Sequence, residues 1–177
     1  MDPFVSDIKK IQERARKQIE QGAVTQNYQA DAKQVCKVLN EALATELVCV
    51  LRYKAHYFAA QGINSEGVKA EFLQHANDEQ QHADQISERI TQLNGDPDLN
   101  PAGLDTRSHS QYETSDDLAA MIKEDLVAER IAIETYGDIV RWLGEKDPTS
   151  RRLMESILEK EEEHANDMRD LLSRFNK

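Results

Sequence analysis

Apolar residues recur along most of this chain at alternating intervals of four and three positions, which is the spacing of one buried helix face. The pattern predicts four long helices, which run over about 30–61, 64–93, 116–143 and 148–175. Residues that end or begin helices separate them: Gly62 and Gly144 follow two of the segments, and Asp147-Pro148 begins the last. β-branched and polar residues do not alternate for more than a few positions, so no strand is predicted.

The lengths of the connections predict how these helices are arranged. Short links join the first helix to the second and the third to the fourth, which favours two antiparallel hairpins. About twenty residues between the hairpins form a crossover loop. We therefore predict an all-α, four-helix bundle with a long crossover between its second and third helices, formed by residues 30–177.

Residues 1–29 form an extension before the bundle. Ile8, Ile11, Ala15 and Ile19 recur at helical spacing within a locally basic segment, which predicts one amphipathic helix of about twenty residues. We expect this helix to dock on the core or on a neighbouring subunit rather than to bind nucleic acid.

An acidic residue replaces an apolar one near the middle of each of the four buried faces, and in the second and fourth helices a histidine follows it three residues later. The six residues of this pattern are Glu46, Glu79, His82, Glu129, Glu161 and His164. Each hairpin repeats the arrangement, because Glu46 precedes Glu79 by 33 residues and Glu129 precedes Glu161 by 32. The chain is therefore interpreted as two related hairpins that meet across a pseudo-twofold axis.

Four carboxylates inside one bundle need compensation, because a buried charge is costly and neighbouring carboxylates raise one another's pKa. Two divalent cations would balance the four carboxylates, and the two imidazoles would add one nitrogen ligand to each ion. This donor set suits iron or manganese, whereas a structural zinc site would be richer in thiolate. The six residues are therefore predicted to form a dinuclear metal site that is also the catalytic site.

Other polar residues lie on or beside the same faces. Tyr53 and Tyr136 each follow a glutamate by seven residues, and their side chains either pack in the core or hydrogen-bond the ligand carboxylates. Asp125 is either a partner of the ligands or a separately capped buried acid. His56 and His75 are expected outside the ligand set, which is complete without them.

Composition and charge exclude several classes of function. No apolar run approaches the ~18 residues that cross a bilayer, and a net charge of −11 repels phosphate backbones. We therefore expect neither a membrane nor a nucleic acid as partner. The start of the chain lacks a secretory signal pattern, and Cys36 and Cys49 form no disulfide framework, so a cytoplasmic location is expected. The thiol of Cys49 either approaches the site or fills the core as a small apolar group.

These motifs resemble those of bacterioferritin-type members of the ferritin-like superfamily, over roughly residues 35–175. The resemblance rests on the stretches NEALATELVCVLRY, DEQQHADQISERI, LVAERIAIETY and EKEEEHANDM, which contain all six predicted ligands. It implies a ferritin-like four-helix bundle in which Glu79 and Glu161 bridge two irons. The terminal ligands would be Glu46 and His82 on one iron, and Glu129 and His164 on the other.

The resemblance also implies an activity. Proteins of this family are ferroxidases, in which two Fe(II) per subunit are oxidised by O2 or H2O2. The Fe(III) then passes to a mineral inside a hollow homo-oligomeric shell. The chain is thus predicted to store and detoxify iron and to protect against oxidative stress.

Three features depart from bacterioferritin. The position that supplies the haem-binding methionine there is Gln80 here, so no haem is expected. No fifth helix is expected, because the chain ends 13 residues after His164, and residues 1–29 have no bacterioferritin counterpart. The chain resembles instead the Dps-like subgroup that keeps its iron site inside each subunit, so a shell of 12 subunits is favoured over one of 24.

Three other functions stay open at this stage. The same ligands serve peroxide-scavenging di-iron or di-manganese enzymes without a mineral, but the chain lacks the paired CxxC motifs of a rubrerythrin and is short for a manganese catalase. A protein that coats DNA is opposed by the net charge of −11. A metal-free structural bundle would leave the buried acids unexplained.

Overall fold

The computed structural model describes residues 6–62 and 65–175, which contain six α-helices and one 3-10 turn and no β-strand. The long helices are α2 (Ala32–Ala59), α3 (Ser65–Gln92), α5 (Leu118–Leu143) and α6 (Pro148–Phe175). The short elements are α1 (Ile8–Ala15), the 3-10 turn (Ile19–Gln21) and α4 (Leu104–Arg107). Because α2 packs mainly on α3 and α5 mainly on α6, the predicted four-helix bundle of two hairpins is confirmed. Every helix in the described residues is too short or too polar to span a bilayer.

Three of the long helices start at side chains that accept hydrogen bonds from otherwise free backbone N–H groups. The carboxylate of Asp31 accepts two such bonds at the start of α2. Asp117 accepts one at the start of α5, and Asp147 accepts one at the start of α6. These caps are local signals, so each of these helices begins close to its predicted position.

The bundle interior contains two apolar clusters, one towards each end. Large side chains of the first cluster include Leu39, Leu43, Ile86, Ile90, Ile139, Leu143, Met154 and Ile157. Those of the second include Phe72, Met121, Ile122, Met168 and Leu171. Burial of each such side chain stabilises the fold by ~1.5–3 kcal/mol. Along each long helix, the predicted ligand glutamate stands between the residues of one cluster and those of the other.

The crossover between the hairpins is more ordered than the predicted loop, because it contains the single-turn helix α4. Hydrogen bonds hold this segment against α2. The backbone N–H of His109 donates to Thr45 Oγ1 at 2.9 Å, and Arg52 Nη1 donates to the carbonyl of Gln111 at 2.9 Å. The long connection is therefore fastened to the first hairpin.

The N-terminal extension differs most from its prediction. The sequence predicts one helix that continues through Ile19, but α1 ends at Ala15 and Gln18 has a left-handed backbone with φ of 53°. No residue of α1 is buried, and Ile8 is 57% exposed, so docking of this helix on the core of its own chain is wrong. Helical spacing shows which residues share a face, but not whether that face has a partner. Docking on a neighbouring subunit stays a prediction.

Contact between the extension and the bundle is made further along the chain. Val24 and Tyr28 pack against the first apolar cluster. The hydroxyl of Tyr28 donates to Asp147 at 2.7 Å, and Arg89 donates to the same carboxylate at 3.0 Å. These bonds tie the end of the extension to α3 and to the start of α6.

Substitution of two glycines of the first hairpin by alanine should change the stability of the fold in opposite directions. A Cβ at Gly95, after α3, would lie 2.6 Å from Cys36 Sγ and 3.1 Å from Ile90 Cγ2, whereas a Cβ at Gly67 in α3 would meet nothing within 4 Å. We expect Gly95→Ala to lower the free energy of unfolding by ~1–3 kcal/mol because of this overlap. We expect the control, Gly67→Ala, to raise it by ~0.5–1 kcal/mol because alanine favours helix. Urea unfolding followed by circular dichroism measures both, and equal effects would contradict the close packing at Gly95.

Candidate metal centre

Six buried side chains from the four long helices meet between the two apolar clusters. They are the six residues predicted from the sequence: Glu46 on α2, Glu79 and His82 on α3, Glu129 on α5, and Glu161 and His164 on α6. Each is at most 7% exposed. The structure therefore brings all six together in the interior, while their binding of metal stays a prediction.

One half of this six-residue cluster is centred on His82. Its Nδ1 lies 3.0 Å from a carboxylate oxygen of Glu161, 3.2 Å from one of Glu46 and 3.4 Å from one of Glu79. One ligand atom from each of these four residues lies within 4.8 Å of the others. The four side chains can therefore contact one ion together.

The other half is centred on His164. Its Nδ1 lies 3.3 Å from Glu79, 3.6 Å from Glu161 and 4.0 Å from Glu129. These four residues also offer ligand atoms within 4.8 Å of one another. Each imidazole thus has one glutamate of its own, and the two halves share Glu79 and Glu161.

Two buried tyrosines join the hairpins through the same carboxylates. The hydroxyl of Tyr53 on α2 donates to Glu129 on α5, and that of Tyr136 on α5 donates to Glu46 on α2. Of the two alternatives for these tyrosines, hydrogen bonding to the carboxylates is therefore the one observed. The sequence did not predict that each tyrosine bonds a glutamate of the other helix, because the seven-residue spacing relates each tyrosine only to the glutamate of its own helix.

The four carboxyl groups of the metal-free cluster differ in their protonation. Burial and the charge of Glu79 raise the pKa of Glu46 to about 8. Burial and the charges of Glu79 and Glu161 raise the pKa of Glu129 well above its usual value. Burial and neighbouring acids also act on Glu79 and Glu161, but the imidazoles and the protonated glutamates outweigh these effects and lower both pKa values. At neutral pH the shared pair therefore carries the negative charge.

Both imidazoles are cationic in this metal-free arrangement. Burial acts to lower the pKa of His164, but the carboxylates of Glu161 and Glu79 raise it to about 10. Burial opposes protonation of His82 as well, but Glu161, Glu46 and Glu79 raise its pKa far above the ordinary value. Two imidazolium groups then balance two ionised glutamates, so the cluster is neutral overall.

The donor atoms of this cluster fit two divalent cations. Glu79 Oε1, Glu161 Oε1 and His164 Nδ1 are buried and make no hydrogen bond of good geometry, although two of these atoms, Glu79 Oε1 and His164 Nδ1, lie 3.3 Å from each other. A cation could contact all three atoms. Exchange of the protons on two glutamates and two imidazoles for two divalent ions would leave the cluster neutral again.

Two further residues support His164, and one of them was not predicted. Its Nε2 lies 3.3 Å from the carboxylate of Asp78, which leaves Nδ1 directed to the interior. The sequence carried no signal for this contact, because it joins α3 to α6. His75, predicted outside the ligand set, stacks on His164 with ring centroids 3.9 Å apart. Burial and the charge of His164 lower the pKa of His75 to about 3, so His75 is neutral.

Asp125 is the centre of a separate buried group. It accepts a hydrogen bond from Arg52 Nε at 3.0 Å and lies 2.9 Å from His56 Nδ1. It is therefore the separately capped acid of the two alternatives, and its partners are unrelated to the six-residue cluster. The thiol of Cys49 accepts from Arg52 Nη2 at 3.7 Å, and burial raises its pKa well above the usual value, so it stays protonated in the core.

A surface pocket between α3 and α6 reaches the six-residue cluster. Its volume is about 190 Å³, and its lining includes Asp78, His82, Gln85 and Lys160. His82 is the member of the cluster that faces this pocket. Small ions in solvent therefore have a short path to its imidazole.

Four glutamates and two histidines inside a four-helix bundle with one long crossover define a class, that of the ferritin-like carboxylate proteins. Comparison with known families agrees, since the model of the ferritin-like domain matches residues 36–177. The chain therefore belongs to the ferritin-like family, as its motifs had indicated.

Two relatives of known name are similar over most of the chain. A bacterioferritin of Desulfovibrio desulfuricans is 28% identical over 131 residues, which are 73% of this chain and 69% of the relative. A nutrient stress-induced DNA-binding protein of Synechococcus is 31% identical over 137 residues, which are 75% of this chain and 77% of the relative.

Solved structures share the fold. A dodecameric thioferritin of Bacteroides fragilis, described as bacterioferritin-related, superposes with a TM-score of 0.80 at 31% identity and covers 84% of this chain and 89% of its own. The bacterioferritin of D. desulfuricans, described with a diiron site, gives a TM-score of 0.73 at 25% identity over 82% and 81% of the two chains. The Dps protein of Thermosynechococcus elongatus, at 19% identity and a TM-score of 0.76 over 79% and 90%, shares the fold.

We expect the metal-free protein to lose stability as pH rises from about 6 to about 9. Glu46 and His164 bind protons more tightly in the folded state than in the unfolded state. Their contribution is complete below the unfolded pKa values, 4.5 and 6.5, and is lost as pH passes the folded values, about 8 and about 10. Thermal midpoints measured in the presence of a chelator at both ends of this range test the expectation.

The control for this measurement is Glu46→Gln, which holds the side chain in a form like the protonated one. Its midpoint should fall less over the same range. A parent midpoint that stays constant or rises would contradict the protonation pattern.

Proposed function

We propose that this protein is a ferroxidase and iron-storage protein, which oxidises Fe(II) with O2 or H2O2 and keeps Fe(III) inside a hollow homo-oligomeric shell. The observation that carries the proposal is the division of the cluster into two halves that share Glu79 and Glu161. Two iron ions bridged by two carboxylates need this arrangement. Family membership and the names of the relatives, a bacterioferritin and a dodecameric thioferritin, support it.

The proposed ligands follow the two halves of the cluster. Glu79 and Glu161 bridge the ions, because both imidazoles lie close to this pair. Each ion has in addition one histidine and one terminal glutamate. The terminal sets are Glu46 with His82 and Glu129 with His164.

The residues of the chain prepare this site for Fe(II), which is the substrate. Binding of two Fe(II) releases about four protons, from the terminal glutamates and the imidazoles. Tyr136 and Tyr53 hold the terminal glutamates in place through their hydroxyl groups. Two neighbouring Fe(II) supply two electrons, which reduce O2 to H2O2 or H2O2 to water. A lone Fe(II) would give H2O2 only one electron and release hydroxyl radical.

A shell of 12 subunits is proposed over one of 24. The solved relative from B. fragilis is described as dodecameric and is 31% identical to this chain. We also propose that a neighbouring subunit covers the exposed apolar residues of α1. A cytoplasmic location likewise remains part of the proposal.

Two alternatives are distinguishable from iron storage. A peroxide-scavenging di-iron or di-manganese enzyme would use the same six residues but would retain only about two metal ions per subunit. Binding of DNA is suggested by the name of the Synechococcus relative, but the net charge of −11 opposes contact with a phosphate backbone. Nucleic acid is therefore left out of the proposed function.

The dinuclear assignment predicts different effects of two neighbouring substitutions on α6. Glu161→Gln should slow oxidation of two Fe(II) per subunit by about a hundredfold or more, because both ions lose a charged bridging ligand. Glu162→Gln removes the same charge from an exposed residue and should oxidise iron like the parent. Stopped-flow absorbance measures both rates. An unchanged rate in Glu161→Gln would show that oxidation happens elsewhere.

The proposed shell predicts both a mass and a capacity. Light scattering after gel filtration should give twelve copies of the 20.2 kDa chain. After loading with Fe(II) in air, the same peak should carry far more iron than two ions per subunit. A twelve-subunit peak that never exceeds two ions per subunit would favour the peroxide-scavenging alternative.

A further inference from the structure

A third group of possible metal ligands stands beside the six-residue cluster. Glu71 and His75 lie one turn apart on α3, and Asp167 on α6 faces them. One ligand atom from each of the three lies within 4.8 Å of the other two. None of these residues belongs to the six, and the side chain of Asp167 is 46% exposed, so the group stands at the edge of the bundle.

We propose that Glu71, His75 and Asp167 form a third cation site, which takes a divalent transition-metal ion such as Mn2+, Fe2+ or Co2+. One imidazole with two carboxylates is a donor set that suits these ions. Two carboxylates balance the charge of one such ion, so binding leaves no excess charge at the edge of the bundle.

The imidazole of His75 is oriented towards the two carboxylates. Its Nδ1 lies 3.1 Å from the hydroxyl of Tyr53, so Nε2 is the nitrogen on the side of Asp167. His75 is 1% exposed, and its Nε2 lies 3.6 Å from Asp167 Oδ2. A cation between these two atoms would bind both.

The distances suit a shared cation better than a direct hydrogen bond. His75 Nε2 and Asp167 Oδ2 are 3.6 Å apart, which is too far for a hydrogen bond. Two donor atoms each ~2.0–2.2 Å from one ion lie about 3–4 Å apart. Glu71 and Asp167 are only partly buried, so water can complete the coordination of an ion that binds between them.

The third site contacts the six-residue cluster through two side chains. His75 stacks on His164, and Tyr53 joins His75 to Glu129 by hydrogen bonds on either side of its hydroxyl. An ion at the third site would therefore fix the ring against which His164 packs. The third site itself needs no ferroxidase activity, so it stands independently of the proposed function.

Crystals of the full protein soaked with saturating Mn2+ and measured near the manganese absorption edge test the site. We expect an anomalous peak between Glu71, His75 and Asp167. Absence of that peak overturns the inference, whatever the six-residue cluster holds. A peak between His75, His164 and Glu129 in its place also overturns it. A third-site peak beside an empty six-residue cluster would support the third site and contradict the proposed function.

A titration with Mn2+ in solution gives a second test. Asp167→Asn should weaken binding at one class of sites by about tenfold or more, since loss of even an outer partner of a metal ligand has effects of that size. Glu162→Gln is the control, because it removes the same charge from an exposed position on the same helix. Electron paramagnetic resonance of free Mn2+ measures both variants. Unchanged binding in Asp167→Asn, or an equal loss in the control, overturns the inference.

Discussion

The burial of six ionisable side chains at one level of a four-helix bundle is the constraint on which the rest of this structure depends. Apolar clusters lie on both sides of that level, and each of the six side chains is at most 7% exposed. Charge inside the level must therefore be balanced by groups within it. Without metal, two imidazolium groups offset two ionised glutamates, and the other two glutamates keep their protons.

The same constraint explains why the two hairpins depend on each other. The first hairpin supplies Glu46, Glu79 and His82, and the second supplies the other three members of the cluster. The charges are also paired across the hairpins, because His82 contacts Glu161 and His164 contacts Glu79. A tyrosine of each hairpin donates a hydrogen bond to a glutamate of the other, and these two bonds fix the relative position of the hairpins at the level of the cluster. Formation of the site therefore requires that the two hairpins are docked.

A second layer of residues surrounds the six-residue cluster and orients or pairs the polar side chains inside the bundle. Asp78 contacts Nε2 of His164 and His75 stacks on the face of its ring, so the two residues orient this imidazole. Asp125 with Arg52 and His56 satisfies a further buried charge, and Arg52 also holds the crossover. Polar contacts also fasten the crossover and the N-terminal segment around Tyr28 to the bundle, and Tyr28 packs on the first apolar cluster as well.

The sequence by itself determined the four long helices, their pairing into hairpins and the six residues that share the buried level. These features are local, because apolar periodicity and the Glu-x-x-His spacing place residues on one face of one helix. Only the tertiary structure decided that Tyr53 pairs with Glu129, that Asp78 reaches His164, and that α1 ends early with its apolar residues uncovered. The first two features depend on the rotation and docking of whole helices against one another, and the third accompanies a left-handed backbone at Gln18. The spacing of residues along a single helix specifies neither.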